Sequence, residues 1–374
     1  MTTDRKIALV DLGRCEVETF PVSMDLEQRF LGGSGVATYL FCKQAPKMVN
    51  PGSADNICIV SAGYLSGTLS APLGAAVLTS KTAATGLMAR ACVDGPFAGQ
   101  MRRAGFEHVV LKGRAEKETC MLICDGRIEF KVVPGLKDNG LSDQRAILRK
   151  EALGYEAQLI CIQKNGDDLF FAADACLALS KDVEDMEPDK SGVAQVLAAK
   201  NVVALACSGT IALEVKDPEG IIAYEKKLLE GIDEPLTQNR PETDIQDPET
   251  IEGPAGSVDL TQIKQTLMQC LGVQCLGLPS GTKNGANGSE LNFQAAADRI
   301  LLNTGLALDE DELKEIAYRC IAMERIYNLR EGIAAKQGRT AEDYRENGWT
   351  RKAVVKKAKV FDPLRIDDLW SRLK

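Results

Sequence analysis

Over the first two hundred residues, apolar and polar positions alternate in short runs. "KIALVDLGRCEVETFPV" (6–22) predicts a strand, a glycine turn and a second alternating strand, hence a hairpin. "NICIVSAGYLSG", "GAAVLTSK", "HVVLKG", "TCMLICDGRIEFKVV" and "AQLICIQ" are further strand candidates. "DLEQRFLGGSGVATYLFCKQ" has helical spacing apart from the Gly-Gly-Ser-Gly interruption at Gly32 to Gly35. "GPFAGQMRRAG" and "LSDQRAILRKEALG" predict helices. Between the strands, Ala84 to Phe106 ("ATGLMARACVDGPFAGQMRRAGF") has glycines spaced for a loop that lets backbone touch a ligand. Many short strands without regular βαβ alternation give an α+β class.

A break falls near residue 209. Asp233 to Asp259 is polar and proline-rich and predicts a linker, and Ser280 to Asn292 is a second stretch of turn formers. The rest has helical spacing: a short helix closed by Gly305, then a long one from Asp309/Glu312, a capping-box pair, to a stop at Gly332. Leu313, Ile316, Ala317, Cys320, Met323 and Tyr327 fall on one face of it, which makes Cys320 a core residue. The expected division is a β-rich domain over 1–209, a connecting helix and linker over 210–259, and a smaller helical domain over 260–374.

Composition adds limits. The chain has 374 residues, and its net charge of −8 gives no electrostatic reason to bind nucleic acid or an anionic membrane. Its first residues lack the apolar run of a signal peptide and no run is long enough to span a bilayer, so a cytoplasmic, reducing location is expected. Twelve cysteines are then read as thiols or cluster ligands rather than disulfides. The closest pairs are Cys120/Cys124, on one face of a strand, and Cys270/Cys275 in "QCLGVQCLG". One histidine, His108, lies in a β-branched run, where a buried structural role is the expectation.

The order of several segments resembles the aldehyde:ferredoxin oxidoreductase family, the tungsten–pterin enzymes. The resemblance rests on "FLGGSGVATYL", "SAGYLSGTLSAP", "TSKTAATG", "MRRAGFEHVVLKGRAEK", "NGDDLFFAADA" and "SGVAQVLAAKNVVALACSGT", with "ELKEIAYRCIAMERIYNLREG" later in the chain. It implies an N-terminal β-sheet platform of that family's type and a tungsten or molybdenum pterin cofactor for aldehyde oxidation. By the same resemblance Gly32, Gly33, Gly35, Cys92, Gly95, Lys190 and Gly192 become candidate cofactor-binding residues.

Departures from the family pattern shape the functional expectation. No C-x-x-C-x-x-x-C triplet exists, so no 4Fe–4S cluster is expected, and Cys275 is at most the counterpart of a fourth, vestigial ligand. Where the family carries a phosphate-facing Arg, this chain has Ala75; loop glycines give way to Cys92 and Asp94, and a later Arg becomes Lys190. Arg90 and the Arg102/Arg103 pair are expected on the solvated surface, unless they compensate for the missing cation. Each charge-assisted hydrogen bond lost removes about 1.5–3 kcal/mol of binding. The expectation is a cofactor-depleted homologue that binds a protein partner, assembles a complex or forms a homo-oligomer. The alternative is a pterin-bearing oxidoreductase subunit whose iron–sulfur centres lie on a ferredoxin-like partner. A third reading is a small-molecule or nucleotide binder reusing the cleft, with Cys92 as a reactive thiol.

Overall fold

The computed structural model describes residues 5–71, 74–136, 139, 141–151, 157–165, 168–173, 189–230, 258, 260–273 and 291–331. Two sheets dominate it. The first contains β1 (Lys6–Asp11), β2 (Glu16–Pro21), β3 (Cys58–Ala62), β4 (Ala75–Lys81), β5 (Met88–Asp94) and β6 (Phe106–Lys112), in the order β2-β1-β6-β3-β4-β5. All neighbours pair antiparallel except β1 and β6, which run parallel. The second holds β7 (Thr119–Cys124), β8 (Arg127–Val132), β9 (Gln158–Asn165), β10 (Asp168–Ala173) and β11 (Val202–Ser208), in the order β10-β9-β11-β7-β8.

Strand periodicity explains the layering. In β1, Ile7 joins one core and Ala8 and Val10 the other, because successive side chains leave a strand on opposite faces. In β7, Met121 and Ile123 face the first sheet, whereas Cys120 and Leu122 face outward to Leu148 of α4 (Leu141–Glu151). Between the sheets lie α3 (Phe97–Arg103) and α5 (Val193–Ala199). The other face of the first sheet carries α1 (Met24–Phe30), α2 (Gly33–Gln44), α7 (Leu260–Leu271), α8 (Phe293–Thr304) and α9 (Glu310–Arg330). A further helix, α6 (Pro218–Glu230), packs on α8, where Arg299 meets Glu225 at 2.7 Å.

Most expected elements form. Asp309 and Glu312 cap α9 reciprocally: Glu312 accepts from Asp309 N–H (2.9 Å) and Asp309 from Glu312 N–H (2.8 Å). Gly305 ends α8 in the left-handed region, and the expected face of α9 is buried, Cys320 included. Two readings are corrected. Ala84 to Phe106 is not a loop: besides the expected helix α3 it contains edge strand β5, because Met88, Ala91 and Val93 find buried places in the sheet. Arg102 is not a surface residue; it contacts buried Glu107 at 3.1 Å and donates to Ser66 O at 2.8 Å. Cys275 and Gly332 lie outside the described residues, as do all of the linker but Val258 and most of Ser280 to Asn292. Among the described residues no helix is long and apolar enough to cross a membrane.

Candidate functional site

Three of the five candidate glycines, Gly32, Gly33 and Gly35, form the start of α2. Gly32 is its N-cap and Gly33 its first residue, at φ +47°. The last turn of α7 lies directly against them. A Cβ on Gly33 would collide with the carbonyl of Gln269, and one on Gly35 would collide with the carbonyl of Phe30 and stand 3.1 Å from Cys270 Sγ and 3.2 Å from Cys320 Sγ. Gly63 meets Gly272 in the same way, backbone on backbone. Glycine here permits one protein segment to touch another. The backbone donors alongside are also taken up: Tyr64 N–H donates to Cys270 O at 2.9 Å and Leu65 N–H to Leu271 O at 3.0 Å.

Above this junction sits Arg90, from β5. It donates to Glu324 of α9 at 2.7 Å and to Thr38 of α2 at 2.8 Å. Arg90 therefore ties the edge strand to two helices. Cys92 and Gly95 lie further along the same stretch, Cys92 in β5 opposite Val77 and Gly95 just after it, its N–H bonded to Gly74 O at 3.1 Å. Asp94 pairs directly with Ala75 in the β4–β5 ladder, so the two departures at these positions are cross-strand neighbours.

Lys190 and Gly192 belong to a turn that opens α5, separate from the α2 junction. The N-terminal amides of α5 meet an anion, and that anion is Asp189. Its carboxylate accepts from Ser191 N–H (3.0 Å), Ser191 Oγ–H (2.5 Å) and Ala194 N–H (2.7 Å). Gly192, at φ +78°, is the N-cap, while Lys190 is exposed.

Cys270 and Cys320 also come together, although they are fifty positions apart. Cys270 Sγ sits at the N-terminal turn of α2, 3.5 Å from Ser34 Oγ, with Cys320 and the Gly35 amide bonded to it and Arg90 near. The hydrogen bond from Cys320, supported by Ser34, Arg90 and Gly35, holds the Cys270 thiol below its ordinary range against the opposing effect of burial. Donation to Cys270, together with burial, holds Cys320 well above it.

A second polar cluster was invisible in the sequence pattern. Arg5 reaches Glu107 at 2.8 Å and Glu27 at 3.2 Å, and Arg102 shares Glu107. Burial raises the Glu27 carboxyl to about 7 despite the opposing pull of Arg5. His108 is fully buried, its Nδ1 2.9 Å from Ser61 Oγ, and desolvation lowers it to about 4. Among the described residues, no group of three or more His, Cys, Asp or Glu side chains is arranged to hold a metal ion.

Two such sheets, with one glycine-started helix between them and another on the outer face of the first, match the fold of a known oxidoreductase family. The aldehyde ferredoxin oxidoreductase N-terminal domain matches residues 7–209, and domains 2 and 3 of the same family match 216–364. The chain belongs to the aldehyde ferredoxin oxidoreductase family. The tungsten-containing aldehyde ferredoxin oxidoreductase of Pyrococcus furiosus is 29% identical over 211 residues, 56% of this chain and 34% of that protein. That of Thermococcus kodakarensis is 27% identical over the same span. The WOR-like subunit of aliphatic sulfonate oxidoreductase from Pyrococcus furiosus is 23% identical over 129 residues, 34% of this chain and 20% of its own length. A solved structure, the active-site complex BamBC of benzoyl coenzyme A reductase, superposes with a TM-score of 0.53 at 23% identity. That match covers 61% of this chain and 34% of the other and supports the fold. The matched region spans about a third of the first two relatives.

Proposed function

We propose that this chain is a cofactor-depleted member of its family that serves as a partner-binding or assembly subunit. One observation carries the reading: groups suited to a phosphorylated ligand are engaged by the protein itself. Asp189 occupies the amides that open α5, α7 carbonyls take the Tyr64 and Leu65 amides, and Glu324 takes Arg90. Asp94 adds a carboxylate opposite Ala75. A bis-pterin held by its phosphates would have to displace these bonds, each worth roughly 0.5–3 kcal/mol. In this reading the residues do not fit the tungsten–pterin group, and no catalytic step is assigned to it. The missing cluster triplet supports the same conclusion. A role beside other subunits is supported by relatives that are themselves named as a subunit or solved as a complex.

The second reading, a tungstopterin subunit with iron–sulfur centres on partner chains, draws on the family match across 7–209. Gly32, Gly33, Gly35, Cys92, Gly95, Lys190 and Gly192 would then line the cofactor. Anaerobic expression in a tungsten-using host, followed by metal and pterin analysis of the purified chain and its co-purifying partners, separates the two. Trace tungsten with a stable protein partner is the expected result; stoichiometric tungsten and pterin on this chain would overturn the proposal.

A further inference from the structure

Two thiols from different helices meet at the start of a third, a placement that sequence spacing does not require. Cys270 closes α7, Cys320 lies midway along α9, and both sulfurs stand within 3.2 Å of one point above the Gly35 Cα. A Cβ at Gly35 would press on both sulfurs as well as collide with the Phe30 carbonyl. Ser34 Oγ at 3.5 Å and the positive end of α2 favour negative charge on Cys270, and the Arg90 guanidinium lies nearby. Among the described residues, Cys320 is the thiol that shares the space at Gly35 with Cys270.

We propose that Cys270 and Cys320 form a redox-active dithiol that hydrogen peroxide converts to a disulfide, fastening α7 to α9 across the glycine start of α2. The Cys270 thiolate attacks one peroxide oxygen; the S–O bond forms as the O–O bond breaks, and the departing hydroxide takes up a proton to leave as water. Cys320 then attacks the sulfenic sulfur. The S–S bond forms, the S–O bond breaks, and the second hydroxide leaves as water with the Cys320 proton. Two thiols lose two electrons, and one peroxide is reduced to two waters. Both thiols are almost completely buried (0% and 1% exposed), which excludes a protein disulfide as oxidant and favours one close to water in size. The bond would hold in place the α7 turn whose carbonyls bind Tyr64 and Leu65. This inference stands whether or not a pterin is bound.

Full-length protein, purified under argon, is treated with a slight molar excess of hydrogen peroxide. It is then denatured in iodoacetamide and mapped by mass spectrometry without reductant. The expected result is loss of two of the twelve thiols, recovered as one Cys270–Cys320 cross-linked peptide that dithiothreitol releases. Cys320→Ser should abolish the cross-link and leave a dimedone-reactive sulfenic acid on Cys270; Cys270→Ser should leave Cys320 fully alkylated. The wild-type map needs neither variant to fold. Full alkylation of both cysteines while exposed Cys15 is oxidised would overturn the proposal. So would a cross-link joining either cysteine to a third.

Discussion

Two helix starts, α2 and α5, solve one problem in opposite ways. Both expose backbone N–H groups and the positive end of a helix, and both open on a glycine. At α5 the answer is local: Asp189 folds back on the amides two and five residues ahead. At α2 no side chain caps the helix, and the space is filled from the far end of the chain by Gln269, Cys270 and Cys320. A local cap requires only a carboxylate at the right offset. A distant one requires helices α7 and α9 to arrive in register, and it makes the glycines indispensable. The difference teaches that glycines spaced like a ligand cradle serve equally well where protein must approach protein.

The comparison can be broken most severely at Gly33. Its φ is positive and a Cβ would run into α7 backbone, so Gly33→Ala should cost about 3 kcal/mol or more through strain and overpacking, read as a lower denaturant midpoint. Unchanged stability would mean that α7 does not seat on α2.

Acid supplies the next test, through His108 in the sheet on which α2 packs. Its folded value, about 4, lies below the ordinary 6.5, so the unfolded chain takes the proton first. The contribution is therefore full above about pH 6.5 and is lost as pH falls toward 4, by roughly 3 kcal/mol at most. His108→Gln should flatten that limb of a stability-versus-pH curve, and an unaltered slope would count against a buried neutral imidazole.

Asp189→Ala removes the local cap and should cost about 1–2 kcal/mol, with Asp189→Asn recovering much of it. If the alanine variant were as stable as wild type, solvent would be capping α5 equally well. The smallest effect is expected at the exposed capping box of α9. There Glu312→Ala should lower stability by about 0.5–1 kcal/mol, measured by thermal unfolding.

Local chemistry made much of the fold readable in advance. The β1–β2 hairpin, α4 and the capped α9 follow from periodicity and turn residues that act over a few positions. Strand β5 was misread because its glycine-flanked sequence carries Arg90 and Asp94 among its apolar residues; their partners come from elsewhere in the fold. Of the candidate site, Gly32, Gly33 and Gly35 were read from spacing as an interruption of a helical run, and neither the helix start there nor what touches it was legible. Cys270 was noted beside Cys275, which lies outside the described residues, and nothing in the spacing pointed to Cys320, which the fold brings to the same glycine. Alternation would not have revealed the Arg5–Glu27–Glu107–Arg102 cluster either, since each member alone reads as an ordinary surface charge.

Amino-acid order alone settled many of the element types, the α+β class, the family and the absence of a cluster-ligand triplet, because each depends on residue identity over short spans. Which donor meets which acceptor was decided by packing. Arg90 and Glu324 stand 234 positions apart, and Ser34 and Cys270 are separated by 236. Such contacts exist only once two sheets and the flanking helices have closed, when distance in space no longer follows distance along the chain.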